Sequence, residues 1–344
     1  MGNENHSKSR DFRIDNMKVA LMCLVVLGHL LEYRLDNKGL YFLYVLVYLF
    51  HMPAFAFLAG CVTRYHGESS YWTKTVSDVV IPYLLFNTAY SLVGFHAAGK
   101  MGTIQYATPY WLMWFLLALL LWRLVLPIWS QVRWAFPVAL LLGLAAAFSK
   151  EVGYYLSLSR ALAFFPFFLL GSLLANRDLF PHVPKAVVAI VSVVILLVTA
   201  YYLQGMNRLV IYRSVALISL GLGTLQAVFV YTALTIAALA GIALLQLVPS
   251  RNIRGITSLA VGIIGAYLIH GMLVRFVLPS LLSRAVVPSD WVFLATSTVV
   301  AAAIVVVCSH LAIKLPYLFN FRWLSAWLFV GSAERKPGKS NRSE

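Results

Sequence analysis

The stretch Lys18-Val-Ala-Leu-Met-Cys-Leu-Val-Val-Leu-Gly-His29-Leu-Leu31 fixes what kind of chain this is. It follows the polar segment Arg10-Asp11-Phe12-Arg13-Ile14-Asp15-Asn16-Met17 and is apolar except at its first residue and at His29. Such a run behind a basic flank is the signature of a membrane span with its start on the cytoplasmic side. Lys18 and His29 stand eleven residues apart, close to three helical turns. They therefore share a face, separated by about 16 Å along the axis. A titratable ring in hydrocarbon is costly and by default marks a functional site. Imidazole takes up and returns a proton near neutral pH.

The pattern recurs along the chain. His51 interrupts the apolar run 40–60 and His270 lies inside 259–278, whereas none of the twelve Asp and Glu residues lies in the middle of such a run. Missing mid-span carboxylates argue against an ion-coupled carrier. With 344 residues, 61% of them hydrophobic, and a mean hydropathy of +0.82, the chain cannot hide its apolar surface as a soluble domain. Its apolar stretches are helix-length without strand-like alternation, which excludes an outer-membrane barrel. The expected fold is an all-α polytopic bundle. Windows of about 20 apolar residues place spans near 18–33, 40–61, 79–97, 111–129, 134–149, 161–176, 186–203, 224–248, 257–278 and 291–313.

The segment 215–248 is ambiguous, because at about 1.5 Å per residue it would make roughly 51 Å of helix, against about 30 Å for one span. Charge decides. With ten spans and both termini cytoplasmic, 18 of the 27 Lys and Arg residues fall inside and 9 outside; splitting this segment leaves 12 inside and 15 outside, against the positive-inside rule. The sequence therefore predicts ten spans, with a partly buried piece around 212–223 ahead of the eighth. Residues 1–17 are expected as a cytoplasmic segment, 18–330 as the membrane domain and 331–344 as a disordered basic cytoplasmic tail able to touch anionic lipid. The span at 19–31 is expected to be retained, not cleaved as a signal peptide. The net charge of +15 follows from topology, and no basic folded surface large enough for nucleic acid lies outside the membrane. Cys23, Cys61 and Cys308 read as packing residues.

His51 lies ten residues from Cys61 near the inner end of its span, about 15 Å up. Antiparallel neighbours thus bring it level with His29. Pro53 follows closely and frees a backbone carbonyl. His270 stands about 20 Å from its inner end. Arg123 and Arg275 sit near opposite ends of their spans, where they can snorkel. Tyr110, Trp111 and Trp114 fit an interfacial aromatic belt.

Several of these residues resemble the membrane-bound acyltransferase-3 family, in particular its sugar O-acetyltransferase branch related to fucose 4-O-acetylase. Arg13-Ile-Asp15 followed by Val-Val-Leu-Gly-His29 resembles the family's opening, Lys18-x10-His29 its basic-x10-His pair, and Phe50-His51-Met52-Pro53-Ala-Phe-Ala-Phe-Leu58-Ala59-Gly60 its second-span signature. Weaker likenesses continue at Ile81-Pro82-Tyr83, Trp114-Phe115-Leu116, Phe167-Phe168-Leu169-Leu170-Gly171 and Tyr267-Leu268-Ile269-His270.

The resemblance implies transfer of an acetyl group from cytoplasmic acetyl-CoA to a sugar hydroxyl of an envelope glycan or lipid-linked sugar, at a bacterial inner membrane. It implies that His29 is catalytic, as general base or acyl carrier, and that Lys18 assists the donor. On that reading Arg10, Arg13, Lys18 and Lys74 hold the donor's phosphates, and His51 orients His29 or stabilises an oxyanion. Asp15 and His270 support the site. Before the third span, where relatives often carry several basic residues, only Lys74 stands, beside Asp78; Arg64 or Arg254 are the substitutes. Two other classes are weighed: a polytopic transporter of a glycolipid or small solute, for which no inverted repeat is visible, and a three-histidine metal enzyme, for which no carboxylate or thiolate ligand is at hand. The site is therefore expected without metal.

Overall fold

In the computed structural model, residues 12–63, 65, 69–174, 177–279 and 289–324 are described. Among them there is no strand. Nine helical segments among the described residues are long and apolar enough to cross a membrane, and Ala135–Ala147 is a shorter apolar helix. At about 1.5 Å per residue, those 13 residues cover roughly 20 Å, so the expected fifth span is a short one. The expected segment 331–344, Arg10 and Arg64 lie outside the described residues.

The first helix, α1 (Phe12–Leu31), starts six residues before the expected Lys18. Buried Asp15 and Asn16 fall inside it; Asp15 faces Lys18 one turn on, and tertiary partners explain why Asn16 is tolerated. The Asn16 amide donates to the carbonyls of Pro249 and Arg251 at 2.9 and 3.0 Å, and the Thr257 hydroxyl donates to Asn16 Oδ1 at 2.7 Å. Polar side chains that look like a flank in sequence thus tie α1 to the loop before α11 (Ile256–Leu259). Helix α2 (Lys38–Val62) is capped by Asn37, whose Oδ1 accepts from Leu40 N, and continues through Pro53. The third span comprises α3 (Ser69–Thr75), a π turn at Val76–Val80 and α4 (Ile81–Ala97).

Then come α5 (Trp114–Trp129), α6 (Ala135–Ala147), α7 (Leu158–Leu174) and α8 (Lys185–Leu203). The ambiguous segment resolves as expected. A short helix α9 (Leu209–Tyr212) and a 3-10 turn at Leu217–Leu220 precede a single span, α10 (Thr224–Leu245). Gly221, at φ +83°, turns the chain between them. Helices α12 (Ile263–Met272) and α13 (Asp290–Lys314) complete the bundle.

Contacts at the helix ends fix the two faces. Arg13 pairs with Asp178, Asn16 reaches residues 249–257 and Arg322 pairs with Asp78 at 3.2 Å on the face where α1 begins. Arg34 and Asp290 pair at 3.2 Å on the opposite face. The described core centres on α2. A Cβ at Gly60 would strike the Phe168 carbonyl and one at Gly171 the Phe57 carbonyl, so α2 and α7 meet backbone to backbone, the small-residue packing that membrane helices favour. The glycines ending the Phe50–Gly60 and Phe167–Gly171 motifs are therefore packing residues.

Candidate active site

His29 sits two residues from the C-terminal end of α1, about 26 Å of rise from Phe12. That is closer to the opposite face than the sequence reading placed it. The chain beyond α1 tightens into a 3-10 turn, Glu32–Arg34. This turn presents the Glu32 carboxylate to His29, with Oε1 3.2 Å from Nδ1. Glu32 Oε1 also accepts from the Tyr48 hydroxyl at 2.6 Å and the Tyr44 hydroxyl at 3.3 Å, both from α2. Since a carboxylate only accepts, His29 Nδ1 is the donor, and the neutral ring keeps its lone pair on Nε2. A base nitrogen whose partner nitrogen is held by a carboxylate is the arrangement of hydrolytic triads. The sequence reading missed Glu32, because it ends the apolar run instead of interrupting it. The spacing of three residues to His29 was the available signal.

Gly28 makes room for this contact: a Cβ there would stand 3.0 Å from Tyr48 Cε2. Trp111 closes the other side, its ring centroid 4.7 Å from that of His29 and its backbone in the left-handed region at φ 37°. The expected belt residue is thus a wall of the site. Asn87, fully buried in α4, holds the loop that delivers it. Its Nδ2 donates to the Gln105 carbonyl at 3.0 Å and its Oδ1 accepts from Tyr110 N at 2.8 Å.

The three span histidines come together. The rings of His29 and His270 lie 5.9 Å apart, and His51 meets Tyr48 edge-on at 4.6 Å. His51 Nδ1 donates to the Val47 carbonyl at 2.9 Å, and His270 Nδ1 to the Tyr267 carbonyl at 2.8 Å. Each neutral ring is thereby fixed with an accepting Nε2. Donation from His51 to an oxyanion requires its imidazolium form. Among the described residues no group of three or more His, Cys, Asp or Glu is arranged to hold a metal ion.

All three histidines and Glu32 line a cavity of about 430 Å³, the size of a small-molecule site. Its other walls include Trp114, Tyr154, Arg160, Arg208 and Tyr212, which lie toward the face opposite the start of α1. A second cavity of about 590 Å³ meets His29, Glu32 and Trp111 from the side of Tyr110 and Arg275. The segment carrying Tyr212 is anchored by Arg213, whose Nη2 donates to the Leu234 carbonyl at 2.9 Å and whose guanidinium lies 5.1 Å from the Phe164 ring centroid. Burial pulls the Arg213 pKa down to about 10, which leaves it charged at neutral pH.

The remaining sequence candidates lie elsewhere. Arg13 pairs with Asp178, and Lys18 Nζ lies 3.4 Å from Asp15 Oδ1. Lys74, in α3, accepts at its backbone carbonyl from Arg123 Nη1 at 3.4 Å. None of these four candidates lines either cavity; they gather toward the other face.

A family model described as an acyltransferase domain matches residues 11–311. A nodulation protein, NolL, of Sinorhizobium fredii is 33% identical over 129 residues, which are 33% of this chain and 35% of that protein. The match thus covers about a third of the relative's length. No solved structure matches. With the family model covering most of a helical bundle that has nine membrane-length apolar segments among the described residues, the chain belongs to the acyltransferase-3 family.

Proposed function

We propose that this protein transfers an acetyl group from cytoplasmic acetyl-CoA to a sugar hydroxyl of an envelope glycan or lipid-linked sugar, at a bacterial inner membrane. The observation that carries the reading is the His29–Glu32 contact at 3.2 Å on a cavity wall. His29 Nε2 removes the proton of the acceptor hydroxyl, and the hydroxyl oxygen attacks the thioester carbonyl. The C–S bond breaks, and the CoA thiolate leaves with the proton held on His29. Glu32 stabilises the imidazolium formed on the way. In the covalent variant Nε2 attacks the thioester first, the C–S bond breaks to leave an acetyl-imidazolium and the CoA thiolate, and the hydroxyl oxygen then takes the acetyl group from the ring while its proton ends on the thiolate.

The accepting Nε2 atom of His51 suits a further sugar hydroxyl, and the fully buried His270 ring supports that of His29. Arg13, Lys18 and Lys74 hold the donor's phosphates, with Arg10 and Arg64 or Arg254 as the further basic residues assigned to them from the sequence, and Asp15 positions Lys18. Its pantetheine arm bridges the roughly 16 Å rise from Lys18 to His29. The test is transfer of labelled acetyl from acetyl-CoA to cell-envelope glycans by purified protein in nanodiscs. Label reaching a glycan supports the reading, and use of another acyl donor or of a non-sugar acceptor overturns it.

A further inference from the structure

The acetyl-transfer chemistry leaves two guanidinium groups of the His29 cavity without a task. Arg160, from α7, lies 4.8 Å over the Trp114 ring and 5.9 Å from that of Tyr154, and its Nε donates to the Tyr212 carbonyl at 3.2 Å. Stacking and this bond hold the plane of the guanidinium, and its two terminal nitrogens have no hydrogen-bond partner among the described residues. Arg208 precedes α9 and lines the same cavity. It is exposed and has no ion pair among the described residues. The carboxylate on the cavity wall, Glu32, is already engaged by His29, Tyr48 and Tyr44. The cavity is therefore a positively charged, aromatic-walled chamber with its base, His29, on the same wall surface.

We propose that the acceptor is an anionic sugar, whose phosphate or carboxylate is held by Arg160 and Arg208 while one of its hydroxyls reaches His29. The inference rests on the reading of this cavity as the acceptor site. A planar guanidinium with its fork free binds an oxyanion in bidentate fashion, and Arg160 is pre-oriented for this by its stacking. A cavity of about 430 Å³ accommodates a ligand of this size, and the aromatic rings supply flat apolar walls for a sugar face.

Trp111 and Trp114 on the cavity wall make intrinsic fluorescence the readout, in nanodiscs and without any acyl donor. Glucose 1-phosphate, glucuronate, glucose and CoA are titrated separately. We expect one or both charged sugars to bind at least about tenfold more tightly than glucose, an advantage that shrinks as salt rises. Arg160→Gln and Arg208→Gln should each cut that advantage by roughly fivefold or more and leave CoA binding unchanged.

Equal binding of charged and neutral sugars overturns the proposal, as does absence of binding by both charged sugars. Variants that weaken CoA but not the charged sugars assign the guanidinium pair to the donor and overturn it too. Should Arg160→Gln misfold through loss of its bond to Tyr212, the exposed Arg208→Gln carries the test alone. Because no turnover is read, failure of the acetyl-transfer reading leaves this outcome intact, and failure of anion selectivity leaves the transfer assay intact.

Discussion

Replacing Glu32 by Gln keeps the size and the accepting oxygen of the side chain but removes its charge. The carboxylate oxygen lies 3.2 Å from His29 Nδ1. At an effective dielectric of about 20, Coulomb's law gives roughly 5 kcal/mol of attraction between the imidazolium and the carboxylate at that separation. The Glu32 side chain is 32% exposed, and the amide dipole of Gln retains part of the interaction. About 3 kcal/mol of lost transition-state stabilisation is then expected, a fall of roughly 10²-fold in kcat. KM for acetyl-CoA should move little, because the proposed phosphate-binding residues Arg13 and Lys18 lie toward the opposite face from this pair. Steady-state transfer of labelled acetyl by wild-type and Glu32→Gln protein in nanodiscs measures both parameters. Glu32→Asp, one methylene shorter, should recover part of the rate. A Glu32→Gln enzyme within about threefold of wild type in kcat would refute the argument that the carboxylate stabilises a charged His29.

Gly28→Ala places a methyl 3.0 Å from Tyr48 Cε2, so Tyr48 must withdraw from Glu32; kcat should fall about tenfold with the protein still folded, for a lost charge-assisted bond of about 1.5 kcal/mol, and an unchanged kcat contradicts the role given to Tyr48. Asn87→Ala strands the Tyr110 N–H and the Gln105 carbonyl and should cost about 1–3 kcal/mol, read as a lower unfolding temperature in detergent; an unshifted temperature means the loop is held otherwise. Lys18→Ala should raise the apparent Kd for acetyl-CoA several-fold while kcat at saturation stays near wild type, and an unaltered Kd removes Lys18 from donor binding.

The span order was legible because hydropathy and positive charge act over whole segments, as the single helix α10 after the buried piece at 212–223 illustrates. His29, His51 and His270 were legible as polar interruptions of apolar runs. Asp15 and Asn16 hid the helix that runs ahead of Lys18, since Asp15 faces Lys18 within α1 and the burial of Asn16 is compensated by residues some 230 positions away. Glu32 was concealed at a run's end, where a carboxylate reads as an interfacial residue, although its spacing to His29 is local. Trp111, Arg160 and Arg208 reach the cavity from loops and helix ends brought there by tertiary bonds, such as those of Asn87 and Arg213, and no periodicity in the sequence reports such bonds. Arg13 and Lys18, read from the first span, lie toward the far face from the cavity.

His29 is the group on which the proposed transfer depends, as carrier of the proton or the acetyl. Transfer of labelled acetyl from acetyl-CoA by His29→Ala protein, shown by its unfolding curve to be folded in nanodiscs, tests this most directly. Loss of at least about 10²-fold in turnover is predicted, the usual worth of a general acid–base group. Turnover close to wild type in that variant would contradict the central claim.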